Sequence, residues 1–258
     1  MKEFSNVWLV VVLLVVAVVC ATVGLWLLLS SKQTQSPKEK SDNRNAVHRA
    51  LADSTETKIY NLIIIDESGS MQCIRQQAMD SVNETIQTIS AAQERNENQE
   101  HFVTLVTFND TATIVTDCAP INEIKELTAE SYRPDCCTAL YDAMGISLNA
   151  LRKKVAKEDK VLVTIVTDGY ENASQEYSCA AIKALVEELK VKGWVFAYLG
   201  ANQDAEKVAF SMSIDNAMRW ESTREGTALM SGRLNNSRAR WYDEAARNRE
   251  RTKGFFDE

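Results

Sequence analysis

Beyond residue 58, short apolar runs alternate with stretches in which apolar residues recur at helical spacing. The runs at 62–65, 161–166 and 194–199 are rich in β-branched or aromatic residues and end in turn residues, which is typical of buried strands. Helical stripes fall between them, such as the one from Ile74 to Ile89. Strands that alternate with helices of this length predict an α/β domain with a Rossmann-like, doubly wound and mostly parallel sheet.

A hairpin is predicted after the first helix. Residues 101–108 are rich in β-branched and aromatic side chains, Asn109 and Asp110 form a turn signal, and residues 111–116 return as a short strand. We expect this second strand to be antiparallel at an edge of the sheet. The other predicted elements are a short helix at 121–127, a loop at 131–137, a helix beginning near Thr138, a helix over 182–189 closed by Gly193, a helix at 205–212, a strand at 217–220 and a last helix at 226–247.

The N-terminal region has a different pattern. Residues 7–29 contain no charged side chain, and an apolar run of about 20 residues can cross a bilayer as a helix. Trp8 and Trp26 lie near its two ends, where interfacial tryptophans are expected. A cleaved signal peptide would have a shorter apolar region, about 7–15 residues, followed by a small-residue cleavage site that this run does not offer. We therefore expect an uncleaved transmembrane anchor.

A polar segment rich in Ser, Gln, Lys, Asp and Asn comes after the anchor and has too few apolar residues to order itself. Its lysines and arginines favour a cytoplasmic domain by the positive-inside rule, and unpaired cysteines agree. A short tail before a single helix, however, often leads to export of the domain after that helix, so both sides of the membrane stay open. We divide the chain into an N-terminal tail (1–6), a transmembrane anchor (7–29), a flexible polar linker (30–58), the α/β domain (59–247) and a C-terminal tail (248–258).

Charge and cysteine content narrow the classes of function. The net charge of −7 gives no global basic field, so we expect no nucleic-acid partner. The six cysteines form no CxxC pair and have no histidine nearby, which argues against zinc. Cys136 and Cys137 are adjacent and are either a redox switch or unreactive loop thiols. We expect the arginines of the last helix, Arg238 among them, on a solvated face because acidic neighbours dilute their charge.

Oxygen-bearing side chains come directly after the predicted buried strands. Asp66, Ser68 and Ser70 come after the first strand, Asp168 comes after the strand at 161–166, and Thr138 lies at a helix start. The carboxyl ends of parallel strands meet at one edge of a sheet, which is where ligands bind in such folds. Carboxylates and hydroxyls are ligands for hard cations, so this set predicts a site for Mg²⁺, or for Mn²⁺ or Ca²⁺.

Each of these residues also has a plainer interpretation. Ser68 or Ser70 could cap the helix that comes after the strand. Asn202 and Asp204, after the third strand, either contact the site or cap a loop. Asp142 is expected on a helix surface or bonded to a loop amide rather than on a metal.

Three motifs together resemble the von Willebrand factor A domain family. Asp66-Glu67-Ser68-Gly69-Ser70 matches its DxSxS motif, Thr138 in Thr-Ala-Leu-Tyr-Asp-Ala resembles its separate threonine, and Asp168 in Thr-Asp-Gly resembles its second aspartate. The pieces occur in the family's order, and the resemblance covers residues 59–247. Within the family, the DESGSM-type first motif is most similar to small prokaryotic and phage members. The loop at 135–137 departs from the family, which often has glycines there.

The resemblance implies a metal-ion-dependent adhesion site. Ser68, Ser70 and Thr138 would offer hydroxyl oxygens, while Asp66 and Asp168 would hold the metal mainly through water. A glutamate or aspartate of a partner protein would complete the coordination. Tyr170 and Glu171 would then lie on the rim of the site, within reach of that partner.

The sequence thus predicts a membrane-anchored, divalent-metal-dependent protein-binding module, of the adhesion or scaffold type, without catalysis. Two alternatives stay open, a metal-dependent phosphoryl or ester hydrolase and a scaffold for an AAA+ ATPase. Against the hydrolase, the chain has no DxD pair after the first strand, no P-loop, no nucleophile elbow and no histidine near the site.

Overall fold

The computed structural model describes residues 56–201, 203–247 and 252–257. The predicted anchor at 7–29 and nearly all of the linker at 30–58 lie outside the described residues. Within the described ranges, no helix is both long and apolar enough to cross a bilayer.

The centre of the domain is one sheet with the strand order β3-β2-β1-β4-β5-β6. All neighbouring pairs are parallel except β2 and β3, which form an antiparallel hairpin at one edge. The predicted, mostly parallel sheet with one antiparallel edge strand is therefore confirmed. The strands are β1 (Thr57–Asp66), β2 (Gln99–Phe108), β3 (Ala112–Pro120), β4 (Lys160–Thr167), β5 (Val195–Ala201) and β6 (Asn216–Trp220).

Helices cover both faces of this sheet. Side chains of β1 alternate between the two layers, because Ile63 and Ile65 pack in one buried cluster and Leu62 and Ile64 in the other. Helices α1 and α5 contribute to the first cluster, and α2, α3 and α4 to the second. Burial on both faces explains why β1 is continuously apolar. The helices are α1 (Arg75–Arg95), α2 (Leu140–Leu151), α3 (Cys179–Val191), α4 (Ala205–Ser211) and α5 (Arg224–Ala246).

The carboxyl ends of the central strands lie level with one another. Asp66 of β1 is opposite Phe108 of β2, and Thr167 of β4 is opposite Gly200 of β5. The residues that come after β1 and β4 therefore emerge side by side at one edge, as the sequence predicts.

The helix predicted at 121–127 is wrong, because only a 3₁₀ turn forms at Ile121–Glu123. Asn83 of α1 binds the next segment instead. Its Oδ1 accepts from the Leu127 amide at 2.8 Å, and its Nδ2 donates to the Leu127 carbonyl at 3.1 Å. These two bonds satisfy a backbone that would otherwise need helical partners. At the end of α3, Gly193 has a φ of 86°, which confirms the predicted glycine C-cap.

Near the C-terminus, residues 252–257 pack against edge strand β6. The Phe255 side chain is buried, and its amide donates to Asn216 Oδ1 at 3.0 Å. Asn216 Nδ2 in turn donates to the Phe196 carbonyl at 2.9 Å and to the Thr252 carbonyl at 3.1 Å. One asparagine thus joins β5, β6 and the terminal segment.

The expectation of a solvated Arg238 is wrong, because its side chain is fully buried between α5 and the sheet. Its guanidinium donates to Thr164 Oγ1 at 2.6 Å, to Tyr242 Oη at 3.1 Å and to Asn61 Oδ1 at 3.3 Å. Nearby, burial together with the Arg238 charge lowers the pKa of His101 to about 4. We call this group, which lies at mid-height on β1 and β4, the Arg238 cluster.

Candidate metal centre

The five predicted ligands come from three segments at the carboxyl edge. Asp66 is the last residue of β1, and Ser68 and Ser70 lie just after it at the start of the 3₁₀ turn Gly69–Ile74. Asp168 comes directly after β4, and Thr138 precedes α2. Asp66, Ser68, Thr138 and Asp168 are buried, whereas Ser70 is exposed. The group therefore has one opening to solvent.

The three segments converge beside Gly169. A methyl group placed on the Gly169 Cα would lie 3.1 Å from Thr138 Oγ1, 3.8 Å from Ser70 Oγ and 3.9 Å from Asp66 Oδ2. Oxygens that are distant in sequence thus surround one small volume, which the absence of a side chain at Gly169 leaves open. A hard cation needs such a convergence of oxygens.

Hydrogen bonds connect the same side chains. Ser70 Oγ donates to Asp168 Oδ1 at 2.5 Å, and Ser68 Oγ lies 3.1 Å from Ser70 Oγ. Ser68 occupies the position before the 3₁₀ turn, but its side chain makes no capping bond there, and no side chain caps the start of α1. The serine oxygens therefore face the two carboxylates and each other, and the helix-cap interpretation is wrong.

Asp66 is held in place by two donors. Its Oδ2 accepts from Thr167 Oγ1 at 2.5 Å, and its Oδ1 accepts from the Ser68 amide at 2.7 Å. Burial raises the pKa of Asp66 to about 6 despite these hydrogen bonds, and the nearby charge of Asp168 adds to the increase. Two carboxylates in such a setting repel each other, and a cation between them would offset both the repulsion and the desolvation.

The donor set fits a hard divalent cation. It consists of two carboxylates and three hydroxyls, with neither thiolate nor imidazole, so it is unsuited to zinc and suited to Mg²⁺, Mn²⁺ or Ca²⁺. Within the part of the chain that the structure describes, no group of three or more His, Cys, Asp or Glu side chains could hold a metal. Any metal at this edge would therefore depend on hydroxyl oxygens.

Two residues at the site are absent from the sequence prediction. Ser222, between β6 and α5, donates from Oγ to Asp168 Oδ2 at 3.2 Å. Thr167 orients Asp66 by the bond described above. Thr167 could have been found because it is the last residue of a parallel strand, whereas Ser222 lies in a polar turn two residues after β6 and has no such signal.

Two acidic residues fix the loop after Asp168 to α2. The Asp142 carboxylate accepts from the amides of residues 175, 176 and 177 at 2.7–2.9 Å, which confirms that it binds loop amides. Glu171 accepts from the Tyr141 amide at 3.0 Å, and Asn172 Oδ1 accepts from the Thr138 amide at 2.9 Å. Glu171 is therefore used inside the domain, and only Tyr170, with 58% of its surface exposed, remains as a rim side chain.

Asp204 caps α4, since its side chain accepts from the Lys207 amide at 3.2 Å. Asn202 lies outside the described residues. The neighbouring Gln203 is buried and donates to Tyr198 Oη at 3.0 Å and to the Gly169 carbonyl at 3.3 Å. Gln203 thus supports the backbone beside the convergence point, a role that the sequence does not signal.

The loop before Thr138 lies against the first motif. The Gly69 amide donates to the Cys136 carbonyl at 3.2 Å, and the Asp135 amide donates to the Glu67 carbonyl at 2.9 Å. Tyr132 Oη donates to the Asp66 carbonyl at 2.5 Å. Backbone hydrogen bonds therefore join the segment that ends in Thr138 to the segment that carries Ser68 and Ser70.

Comparison with known proteins adds two findings. Residues 61–171 match the model of the von Willebrand factor type A domain family, and this range contains all five predicted ligands. No curated protein sequence matches the chain.

Several solved structures have a similar fold. The SpaC pilus adhesin from Lactobacillus rhamnosus GG matches with a TM-score of 0.52 and 12% identity over 73% of this chain and 31% of that one. A von Willebrand factor type A protein from Catenulispora acidiphila matches with a TM-score of 0.49 and 14% identity over 70% and 42%. The PilB minor pilin from Streptococcus sanguinis matches with a TM-score of 0.48 and 13% identity over 74% and 63%.

This chain covers less than two thirds of each of these three proteins. At such low identity the likeness concerns the fold alone, and only SpaC, among the three, has a TM-score above 0.5. Residues 61–171 are therefore similar to the von Willebrand factor type A domain family, and the mostly parallel, helix-covered sheet agrees with that similarity.

Proposed function

We propose that this chain is a membrane-anchored module that binds a divalent cation and, through it, a carboxylate of a protein partner. The observation that carries the proposal is the convergence of Thr138, Ser70 and Asp66 oxygens beside Gly169. The motif match at residues 61–171 supports it. Its first motif is of the type expected in small prokaryotic and phage members of the family.

The hydroxyls of Ser68, Ser70 and Thr138 and the carboxylates of Asp66 and Asp168 would hold the cation. When bound, the cation would supply an electrophilic position for an external carboxylate, because its hydroxyl ligands are neutral and the two aspartates would hold it mainly through water. Exposed Ser70 marks the side from which that carboxylate would approach. Mg²⁺ is our first choice, with Mn²⁺ and Ca²⁺ as alternatives of the same ligand preference.

Binding rather than catalysis is the activity we propose. General acid–base chemistry by an imidazole would need a histidine in reach of a substrate at the cation. His101 is fully buried near the start of β2, at the opposite end of that strand from the carboxyl edge. No specific observation favours the hydrolase or the AAA+ scaffold alternative.

Membrane anchoring by residues 7–29 is part of the same proposal. It rests on the length of the uncharged apolar run and on the polar linker at 30–58. Fusions of a compartment-specific reporter to the C-terminus would report the side of the membrane. Loss of membrane association when residues 7–29 are deleted is the expected result, and an unchanged membrane fraction would contradict the anchor.

Titration calorimetry of the full chain in detergent with Mg²⁺ and Mn²⁺ tests the metal site. We expect saturable binding, abolished in Asp66→Ala and weakened in Ser70→Ala, whose exposed side chain can be truncated without opening a cavity in the core. Asp110→Ala is the matched control, since Asp110 is an exposed carboxylate in the β2–β3 turn at the same edge. Absence of binding by the unmodified chain, or equal binding by all three variants, would refute the proposal.

Partner binding is tested on the same variants. Capture of a purified candidate partner by the full chain should be lost on chelation and recovered with added Mg²⁺. Asp66→Ala should behave like the chelated protein, and Asp110→Ala like the unmodified one. Capture that is unaffected both by chelator and by Asp66→Ala would mean that the cation does not link this chain to its partner.

A further inference from the structure

Two adjacent thiols lie immediately before Thr138. Cys136 and Cys137 are unpaired and exposed, and the Cys136 thiol donates to the Cys137 sulfur across 3.5 Å. Cys136 has a φ of 64°, in the left-handed region that non-glycine residues adopt only at some energetic cost. Solvent therefore reaches a pair of close thiols held on a strained backbone.

We propose that Cys136 and Cys137 are a modification site, at which a low-molecular-weight disulfide oxidises the pair to a vicinal disulfide and thereby weakens cation binding. Formation of the disulfide needs the two observed thiols and the small disulfide as oxidant, and it does not depend on the proposed function. Its effect on the cation rests on the proposed function of the neighbouring site.

The reaction is two thiol–disulfide exchanges. The Cys137 sulfur attacks one sulfur of the small disulfide, releasing its proton to water while the small disulfide's S–S bond breaks and one small thiol leaves. The Cys136 sulfur then attacks the Cys137 sulfur, gives up its own proton, and displaces the second small thiol. Overall, two protein thiols are oxidised to one disulfide, and one small disulfide is reduced to two thiols.

Ring closure must change the backbone between the two cysteines. Ordinary disulfides join Cα atoms about 4.4–6.8 Å apart. Consecutive Cα atoms are only about 3.8 Å apart across a trans peptide. The peptide unit between Cys136 and Cys137 therefore has to rotate or distort as the sulfurs approach bonding distance.

That peptide unit is part of the connection between two segments of the candidate metal centre. Its carbonyl, the Cys136 C=O, accepts the hydrogen bond of the Gly69 amide at 3.2 Å. Gly69 lies between Ser68 and Ser70, and Cys137 is bonded directly to Thr138. A change in this one peptide therefore displaces the carbonyl that holds the first motif and the residue that leads into Thr138.

The coupling must be reciprocal. If the disulfide weakens cation binding by a given factor, a saturating cation disfavours the disulfide by the same factor. A strained vicinal disulfide is also readily reduced, so the modification is reversible.

The test uses the full chain in detergent, with oxidised glutathione as oxidant and Mg²⁺ as the cation. Alkylation followed by peptide mass spectrometry should show that the peptide with both cysteines loses two hydrogen atoms and becomes resistant to alkylation. Calorimetry should show that the Mg²⁺ Kd rises about 10- to 100-fold on oxidation, the range for disturbed outer-shell partners of a metal site, and recovers with reductant. In redox buffer, saturating Mg²⁺ should shift the thiol–disulfide balance toward thiols by the same factor.

Two variants control the result. The double variant C136S/C137S should bind Mg²⁺ equally under reducing and oxidising conditions. Cys73→Ser removes another exposed thiol, whose sulfur donates to the Ser70 carbonyl at 3.2 Å, and should leave the response intact.

The disulfide, its effect on cation binding and the proposed function are each contradicted by a different result. A doubly alkylated peptide after oxidation, a stable glutathione adduct, or loss of the response in Cys73→Ser would overturn the vicinal disulfide. A disulfide that leaves the Mg²⁺ Kd unchanged would overturn the coupling while the proposed function stands. A reduced chain that binds no Mg²⁺ would overturn the proposed function and the coupling together.

Discussion

Two buried polar groups lie on the same pair of strands and are built in opposite ways. At mid-height on β1 and β4, Asn61 and Thr164 accept hydrogen bonds from Arg238, which the chain itself supplies. At the carboxyl end of the same strands, Asp66 and Asp168 have only hydroxyl and amide donors around them. Among the ion pairs of the described residues, none includes either aspartate. The first group thus contains a positively charged side chain that donates to neutral acceptors, whereas the described residues of the second group are carboxylates with neutral donors.

The difference in charge supports our proposal that the first group is structural and the second binds a cation. Arg238 is fully buried and its acceptors are neutral, so the cluster serves to join α5 to the sheet. The two carboxylates lie beside exposed Ser70, so the position that we propose for a cation is open to solvent. Buried polar side chains alone do not indicate function, and the balance of charge within each group is the more informative property.

The largest expected effect comes from breaking the Arg238 cluster. Arg238→Met should lower the free energy of unfolding by about 4 kcal/mol, because the buried Thr164 and Tyr242 hydroxyls lose their donor and Asn61 keeps only its bond from Tyr242. Urea denaturation with chelator present measures this. Arg233→Met is the matched control, since Arg233 is exposed on the same helix and should change stability by less than about 0.5 kcal/mol. Equal effects of the two variants would show that the cluster contributes nothing specific.

His101, next to the Arg238 cluster, should make the stability of the domain depend on pH. Its folded-state pKa of about 4 lies below the ordinary value of 6.5, so the unfolded chain binds the extra proton first as pH falls. Between pH 6.5 and 4 this should remove up to about 3 kcal/mol of stability. The raised pKa of Asp66 acts with the opposite sign, so the quantity to measure is the difference between unmodified chain and His101→Gln.

With chelator present, lowering the pH from 6.5 to 4 should reduce the unfolding free energy of the unmodified chain more than that of His101→Gln. A difference independent of pH would mean that folding does not lower the pKa of His101. Because the Arg238 charge contributes to the lowered pKa of His101, Arg238→Met should narrow the pH range over which His101 affects stability.

A smaller effect is expected at Asp66, where we expect a loss of metal affinity rather than a loss of stability. Asp66→Asn should reduce Mg²⁺ affinity by about 100-fold, which corresponds to about 2.7 kcal/mol. Without metal it should leave the free energy of unfolding unchanged or higher, because it removes a charge that burial disfavours. Calorimetry and denaturation of the same samples check both parts. Marked destabilisation without metal would place Asp66 among the structural polar residues.

The smallest predicted effect concerns Ser222. Ser222→Ala removes the bond to Asp168 Oδ2 and should weaken Mg²⁺ binding by about 10-fold, as expected for a residue that orients a ligand. Ser211→Ala, at the exposed end of α4, is the control. If both variants bind Mg²⁺ equally, Asp168 does not depend on Ser222 for its orientation.

The carboxyl-edge site could be predicted because alternating strands and helices imply parallel strands. Residues 62–65 and 161–166 are apolar enough to be central strands, so Asp66 and Asp168 had to emerge at one edge. Thr138 was placed by its motif, although α2 begins only at Leu140 because the Thr138 amide is bound by Asn172.

The remaining features depend on tertiary contacts that one sequence does not display. Arg238 looks like any surface arginine until Asn61, Thr164 and Tyr242 are known to surround it. The segment before Leu127 carries a helical pattern, but its backbone bonds to Asn83 of a preceding helix. Ser222 lies in an ordinary polar turn, and its relation to Asp168 arises only from the position of β6 in the sheet.

The fastening of the loop after Asp168 has a consequence for the entropy of cation binding. Asp142 and Glu171 tie that loop to the start of α2, so Asp168 and Thr138 belong to one mechanical unit. A cation bound as proposed would therefore meet segments that the domain already holds together, because the segment before Thr138 is also hydrogen-bonded to the loop of Ser68 and Ser70. Fewer degrees of freedom are lost on binding, and more of the coordination energy remains available as affinity.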